Sequence, residues 1–367
     1  MASTRKISFN NKKSREFGRT IKKRVNDYFK RNNLSKHANS EMILKTVVLL
    51  SMYVGAYLLI MFGELSLFAM WMLCFVMGIG MAGIGFSVSH DALHGAYSSN
   101  KMVNSVLGST FDLLGANGYI WQITHNIIHH TYTNVHGHDE DLEVAGFIRL
   151  SPHQEYKPVH RLQHVLAFVA YSTATLFWVF IKDYKYFLQS ELGPYKDKSH
   201  PLGEWVKLIL TKLAYYGYTI VIPLVFLDIT WWQWLIGFIS LHLTAGLILG
   251  VVFQLAHVVE ETEHVDPGED NKIDEHWIIH ELETTSNFAR DNKWLSWYIG
   301  GLNYQIEHHL FPKVCHVHYP EISEIVERTA KEYDIPYNEH ETLGEAIGSH
   351  YQMLRWLGTP DAEPATA

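Results

Sequence analysis

The chain has 367 residues, of which 47% are hydrophobic, and it carries a formal net charge of −8 with 23 histidines and two cysteines. A mean hydropathy near zero excludes a uniformly apolar chain, and two cysteines in different settings exclude a disulfide framework. Long apolar segments that alternate with polar ones indicate one membrane domain rather than several soluble domains.

Both ends of the chain differ from its apolar centre. The N-terminal segment 1–41 is basic and lacks the apolar core of a signal peptide, and the membrane segment after it disfavours a nucleic-acid partner. Two interpretations stay open, a solvated basic tail and an amphipathic helix on anionic headgroups. Residues 346–367 are a predicted C-terminal tail. The basic residues are Lys12, Lys13, Arg15, Lys22, Lys23, Arg24, Lys30 and Arg31.

Four apolar segments are each long enough to cross a hydrocarbon core about 30 Å thick. Loops at 63–66 and 227–230, which contain no Lys or Arg, join them into two hairpins, so the opposite ends are expected on the cytoplasmic side. Glycines in the second segment would let it pack closely on a neighbour. The segments are 42–62, 67–88, 208–226 and 231–256, and the glycines are Gly78, Gly80, Gly83 and Gly85.

One further apolar segment, 165–181, is ambiguous. Lys157 and Arg161 precede it, and Lys182 and Lys185 follow it. Positive residues on both flanks favour an interfacial segment in the inner leaflet over a fifth crossing. The predicted fold is therefore an all-α integral membrane protein, with four transmembrane helices in two hairpins and a cytoplasmic helical cap that carries the histidine clusters. Both termini are expected in the cytoplasm, at the inner or plasma membrane if the source is bacterial.

Histidines occur at spacings that place several imidazoles on one helix face. His90 and His94 are four residues apart, as are His125 and His129, so each pair can hold one ion. His130 points in another direction and can reach a second ion.

A third cluster contains Gln305, His308 and His309, and His257 ends the last apolar segment. Imidazole suits iron, copper, nickel or zinc. A single zinc site takes about four ligands, so this many histidines favour two ions that share the set. The clusters contain few carboxylates, which separates them from the Glu-rich di-iron bundles.

These clusters resemble the histidine boxes of the membrane fatty acid desaturase family. Residues 90–94 match its HxxxH box, residues 125–130 its HxxxHH box, and residues 305–309 its QxxHH box. Glutamine at the start of the third box resembles the front-end branch, which is delta-6-like (linoleoyl-CoA). The resemblance covers residues 42–345 and implies a di-iron centre, O₂ as co-substrate and His257 as an extra ligand.

The resemblance also implies the partners. The expected substrate is a fatty acyl chain on CoA or on a lipid, in which a front-end enzyme introduces a double bond toward the carboxyl end. Many front-end members carry a fused cytochrome b5 domain with a His-Pro-Gly-Gly motif, which this sequence lacks. Two electrons are therefore expected from a separate ferredoxin- or cytochrome b5-like donor with its reductase. The bilayer is a partner, and nucleic acid is not.

Residues beside the boxes are candidates for hydrogen bonds that fix the imidazole tautomers, the alternative for the acids being solvation. Gln305 has two open interpretations, a carbonyl oxygen on iron or a held water. The predicted metal ligands are His90, His94, His125, His129, His130, His257, Gln305, His308 and His309. The candidate partners around them are Asp91, Asp139, Asp141, His280 and Glu307.

Several other residues have simpler interpretations. His242, inside a predicted span, is expected to be a neutral, hydrogen-bonded packing residue rather than a functional group. Trp121, just before the second box, is a candidate to line an acyl tunnel. Four histidines near the C-terminus are expected to face solvent: His316, His318, His340 and His350.

Three functions remain open. The first is desaturation of a fatty acyl chain. The second is hydroxylation of a fatty acid or alkane on the same scaffold, which differs in the fate of the substrate radical. The third is a zinc-bearing membrane receptor or hydrolase, which the identity of the metal would distinguish at once.

Overall fold

The structure is a computed structural model in which most of the chain is helical, so the all-α prediction is confirmed. The residues that it describes are 7–10, 14–142, 146–194, 199–268 and 270–362. Lys12, Lys13 and residues 363–367 of the predicted tail lie outside this part of the chain. Four two-residue strands form two parallel pairs: β1 (Ser8–Phe9) with β2 (Lys272–Ile273), and β3 (Asn287–Phe288) with β4 (Glu339–His340).

The α-helices are α1 (Arg15–Arg31), α2 (Ser40–Phe62), α3 (Leu67–Gly83), α4 (His90–Leu93), α5 (Lys101–Gly108), α6 (Thr110–Leu113), α7 (Gly118–Trp121), α8 (Gln163–Ser172), α9 (Ala174–Phe177), α10 (Asp183–Leu188), α11 (Leu202–Tyr216), α12 (Ile222–Phe226), α13 (Trp231–His257), α14 (Trp277–Glu283), α15 (Lys293–Tyr298), α16 (Gln305–Leu310), α17 (Tyr319–Glu332) and α18 (Leu343–Leu357). Wider π-helical turns join or extend some of them, at Ile84–Ser89, Gln122–His129, Trp178–Lys182 and Gly217–Val221. Tighter 3₁₀ turns occupy Pro158–Leu162 and His316–His318.

Four continuous helices are long and apolar enough to cross a membrane, and they lie at the four segments predicted from hydropathy. Polar side chains start the first two: Asn39 accepts a hydrogen bond from the backbone of Met42, and Ser66 accepts one from Ala69. The four helices are Ser40–Phe62, Leu67–Leu93, Leu202–Phe226 and Trp231–His257.

Glycines let α3 approach the helices on both of its sides. A Cβ at Gly78 would lie 2.6 Å from the backbone oxygen of Leu241 in α13, and one at Gly80 would lie 3.2 Å from the backbone nitrogen of Tyr53 in α2. The predicted close packing is confirmed at these two positions, whereas a Cβ at Gly85 would make only an ordinary contact. Helices at this separation gain van der Waals contact along the backbone.

The ambiguous apolar segment forms a pair of helices, Pro158–Ser172 and Ala174–Leu188, bent by 56°. The bend lies beside α13, where the Thr175 hydroxyl donates to the backbone oxygen of His242 at 2.9 Å. The far end lies at the first turns of α11, where the rings of Phe187 and Trp205 are 4.8 Å apart. A broken span and a re-entrant loop both fit the length, so the interfacial interpretation stays a prediction.

His242 is a packing residue, as expected. Its Nδ1 lies 3.0 Å from the Thr175 hydroxyl and its Nε2 lies 2.8 Å from the Tyr215 hydroxyl. Both ring nitrogens therefore have a partner, and the imidazole ties α13 to α9 and α11.

The cap is built on the polar ends of the spans. Helix α1 buries an apolar face against α14, α16 and α17, and the third box lies on α16 in this cluster. The prediction of a C-terminal tail is wrong for residues 346–357, because α18 continues to Leu357 and packs on α8. Leu354 and Leu357 are fully buried, so apolar residues three apart form a helix face in an otherwise polar stretch.

Candidate metal centre

The predicted ligands converge from four helices. His90 begins α4 and His257 ends α13, while the second box lies on the π-helical extension of α7 and the third on α16. Each of the nine side chains is at most 9% exposed. This burial removes the imidazoles from water and leaves them facing one another.

The imidazoles form two adjacent groups, and within each group the candidate ligand atoms lie within 4.8 Å of one another. The first group contains His90, His94, His125 and His308, and the second contains His129, His257 and His309. His130 lies between them and forms a third group with His308 and His309, which overlaps both. Its ring centroid is 4.8 Å from that of His94 and 4.3 Å from that of His309. The arrangement brings candidate ligand atoms together in neighbouring places at one buried centre.

The four-residue spacing predicts that His125 and His129 bind one ion, but the structure places them in different groups. Their rings stack with centroids 5.1 Å apart, but His125 belongs to the first group and His129 to the second. The physical reason is local, because Gln122–His129 is a π-helix, whose i→i+5 bonds widen the turn. His90 and His94, four residues apart at an ordinary helical turn, lie in one group.

Many buried atoms in these groups have no hydrogen-bond partner among the described residues. Each such atom costs about 1–3 kcal/mol if nothing satisfies it, so the cluster requires a further partner. The atoms are His90 Nδ1, His94 Nε2, His125 Nε2, His129 Nε2, both ring nitrogens of His130, His308 Nε2, His309 Nε2 and Gln305 Oε1. Metal ions that accept imidazole ligands meet this requirement, so these residues fit a metal centre.

Five of the rings favour the neutral state that metal binding needs. Burial, with repulsion from neighbouring imidazoles, lowers the pKa of five of them well below the usual value: His94, His125, His130, His308 and His309. A neutral imidazole keeps a lone pair for a metal.

Two carboxylates orient imidazoles of the second group. His129 Nδ1 lies 3.0 Å from Asp139 Oδ2, and His309 Nδ1 lies 2.7 Å from Glu281 Oε2. Burial disfavours charge on His129, but Asp139 outweighs it and raises the pKa of His129. Burial raises the pKa of Glu281 well above its usual value. With Nδ1–H donated to a carboxylate, each ring points Nε2 at the centre.

Other predicted partners lie near the boxes without forming such bonds. Asp141 Oδ2 is 3.5 Å from His125 Nδ1, which is longer than a normal hydrogen bond. Asp91 Oδ1 is 3.9 Å from His90 Nδ1, which is too long for a hydrogen bond. Their proximity in sequence is therefore matched by proximity in space.

Among the described residues, neither Glu307 nor His280 has a hydrogen bond to an imidazole of the boxes, so their role as partners stays a prediction. Glu307 accepts hydrogen bonds from Asn287 and from Tyr337 at 2.9 and 3.0 Å, because one residue along an α-helix turns a side chain by about 100° away from His308. The His280 ring packs on Phe9 instead.

The true partner in α14, Glu281, is missed by sequence reasoning. It follows His280 directly, but nothing in the spacing distinguishes it from Glu283 two residues later. Two more contacts are missed for the same reason. The Tyr319 hydroxyl lies 3.2 Å from His308 Nδ1, and the backbone oxygen of Thr284 lies 3.4 Å from His257 Nδ1.

His316, expected to face solvent, is buried and links the first box to α2. Lys45 Nζ lies 2.7 Å from His316 Nε2, and His316 Nδ1 lies 2.9 Å from Asp91 Oδ2. Lys45 is 1% exposed, so this lysine enters the protein rather than the lipid. The expectation of solvent exposure is also wrong for three other buried histidines: His318, His340 and His350.

Gln305 lies at the edge of the second group. Its Nε2 is 2.9 Å from His257 Nε2, and its Oε1 is buried without a partner among the described residues. Both interpretations of Gln305, a carbonyl oxygen on iron and a held water, stay predictions.

Four membrane-length helices with a buried histidine cluster at one end define a membrane protein with a histidine-rich metal centre. Residues 66–341 match the model of the fatty acid desaturase family. The sn-1 linoleoyl-lipid 6-desaturase of Synechocystis sp. is 36% identical to this chain, over 98% of this chain and 99% of its own length. The sn-1 linoleoyl-lipid 6-desaturase of Arthrospira platensis is 37% identical, over 96% of this chain and 95% of its own length. An acyl-lipid (8-3)-desaturase of Physcomitrium patens is 34% identical over 96% of this chain and 74% of its own. The chain belongs to the fatty acid desaturase family and is an enzyme that desaturates fatty acyl chains.

Proposed function

We propose that the chain is a front-end desaturase whose box histidines hold two iron ions. The observation that carries the proposal is the pair of adjacent imidazole groups, with His130 between them and both of its ring nitrogens unpaired among the described residues. One zinc ion would satisfy about four ligands and would leave the other group unsatisfied. When bound, the two ions supply the reduction of O₂ and the removal of hydrogen from two adjacent methylenes.

The two groups assign the ligands. His130 is within reach of both ions, and Gln305 lies beside the second. The first ion is assigned to His90, His94, His125 and His308, and the second to His129, His257 and His309. Asp139 and Glu281 hold the second group in place through Nδ1 hydrogen bonds, which also makes each imidazole a stronger ligand.

An aromatic wall beside the first group supports binding of an acyl chain there. The indole of Trp121 stacks on His125 with centroids 4.3 Å apart. Phe111 packs between Trp121 and Trp178, at 5.5 and 5.7 Å. These rings offer apolar contact to methylenes and exclude water, so they hold the reacting carbons beside the metals.

The relatives support a more specific substrate. Two of them are named sn-1 linoleoyl-lipid 6-desaturases, and one is named an acyl-lipid (8-3)-desaturase. We therefore assign a lipid-linked acyl chain as substrate and a new double bond on the carboxyl side of an existing one. The boxes and both termini face the cytoplasm, where a separate redox protein delivers the two electrons.

The test is product analysis in a host that lacks polyunsaturated lipids. Fed with linoleate, cells that express the chain should form a trienoic product, and mass spectrometry should place the new bond toward the carboxyl end. His308→Ala should abolish it, whereas His160→Ala, at a buried histidine bonded to Gly146, should not. A hydroxylated product would replace desaturation with hydroxylation, and inactive protein that purifies with zinc would refute the proposal.

A further inference from the structure

Helix α1 presents a strongly basic surface on an acidic protein. The helix contains seven Lys or Arg residues and two acidic residues, Glu16 and Asp27, whereas the whole chain has a net charge of −8. Arg24 pairs with Glu332, but the other six basic residues are exposed and have no ion pair in the described part of the chain. These six residues, here called the basic face, are Arg15, Arg19, Lys22, Lys23, Lys30 and Arg31.

The apolar side of α1 is already occupied by protein. Phe17, Ile21, Val25 and Phe29 are at most 3% exposed and pack into the cap. A helix that binds a membrane surface inserts this side among the lipids, and α1 has no such side to spare. The structure therefore disfavours the interpretation of the N-terminal segment as a helix on headgroups, and the basic face is left for a soluble partner.

One helix, α14, lies between α1 and the metal centre. At Gly18, α1 approaches α14 so closely that a Cβ would lie 2.9 Å from Ile278 Cδ1. The next residue toward the N-terminus of α14, Trp277, donates its indole N–H to the backbone oxygen of His130 at 3.1 Å. Glu281 of the same helix bonds His309. Electron tunnelling falls exponentially with distance, so a docked carrier must lie over a thin part of the cover.

We propose that the basic face of α1 is the docking surface for a small acidic one-electron carrier that reduces the metal centre. The inference rests on the proposed function, in which the electrons come from a separate protein. The surface and the carrier have complementary charges, which speeds encounter and makes it sensitive to salt. Helix α17 packs against α1 and carries two exposed acidic residues, Glu321 and Glu324. An acidic partner is repelled there and is thereby oriented on α1.

The test uses the full chain in vesicles of neutral lipid with two sources of electrons. One source is an acidic plant-type ferredoxin with its reductase. The other is anaerobic reduction by dithionite with methyl viologen, both removed before O₂ is admitted for a single turnover, which needs no docking surface. The variant Arg19→Glu/Lys23→Glu/Lys30→Glu should raise the KM for ferredoxin about tenfold or more and flatten its salt dependence. The single-turnover yield after chemical reduction should stay at the parent level.

The matched control is Lys157→Glu/Arg161→Glu/Arg355→Glu, which reverses three exposed charges elsewhere and should behave as the parent. A neutralised variant, Arg19→Gln/Lys23→Gln/Lys30→Gln, should give a smaller rise in the KM for ferredoxin. It tests the basic face even if the charge-reversed variant does not fold. An unchanged KM for ferredoxin, or an equal rise in the control, would overturn the inference. So would a response to anionic lipid in place of ferredoxin, which would assign the basic face to the membrane. A parent chain that is inactive with both reductants would instead refute the proposed function.

Discussion

Glu281 gives a sharp test of how the protein holds its metal ions. Its Oε2 lies 2.7 Å from His309 Nδ1 and also accepts a hydrogen bond from the Thr133 hydroxyl at 2.9 Å. Partners of this kind set the tautomer and basicity of a metal-bound imidazole, and their loss costs about 10–100-fold in metal affinity. Glu281→Gln keeps an acceptor oxygen but loses the carboxyl group, so we expect the smaller loss of metal affinity, about tenfold or 1.4 kcal/mol.

Glu281→Leu removes the acceptor entirely and should reach about 100-fold, or about 2.8 kcal/mol. The assay is anaerobic titration of chelator-stripped protein with Fe²⁺ in competition with a chelator of known affinity. Glu307→Gln is the matched control, because Glu307 is equally buried but bonds Asn287 and Tyr337. Unchanged affinity in Glu281→Gln, or an equal loss in Glu307→Gln, would refute the assignment of Glu281.

Three further predictions follow from other contacts. Lys212→Met should cost about 3–5 kcal/mol of stability, since it leaves the carboxylate of Asp183 buried without the ammonium 2.8 Å away. Thermal denaturation in detergent should show this loss and its partial reversal by Asp183→Asn, and a loss below about 1 kcal/mol would contradict it. Gly78→Leu should lower the free energy of unfolding by about 1–3 kcal/mol through overpacking. Gly85→Ala should leave it unchanged in the same assay, and equal effects would refute the close packing of α3. Trp121→Ala should lower kcat/KM about 10–100-fold by misplacing the acyl chain with the iron content unchanged; lost iron or unaltered kinetics would argue against the aromatic wall.

Features that depend on local pattern were predictable from the sequence. Hydropathy located the four long helices, because each needs only a run of apolar residues of bilayer length. The four-residue spacing of His90 and His94 placed them in one group, since an ordinary helical turn brings such residues together.

Features that depend on distant contacts were not predictable. Lys45 and His316 are 271 positions apart yet hydrogen-bonded, and no spacing rule connects a lysine in a span with a histidine after the third box. Glu281 likewise reaches His309 only through the packing of α14 on α16. The π-helical turn that separates His125 from His129 is a local feature, but one that i,i+4 spacing does not reveal.

The number of metal ions that share the buried histidines can be measured directly. The metal content of the purified full chain is determined by mass spectrometry of the elements in protein of known concentration. We expect two iron ions per chain, with a loss of iron in His308→Ala and none in His160→Ala. One zinc ion per chain, or iron that persists after His308→Ala, would contradict the proposed pair of iron ions.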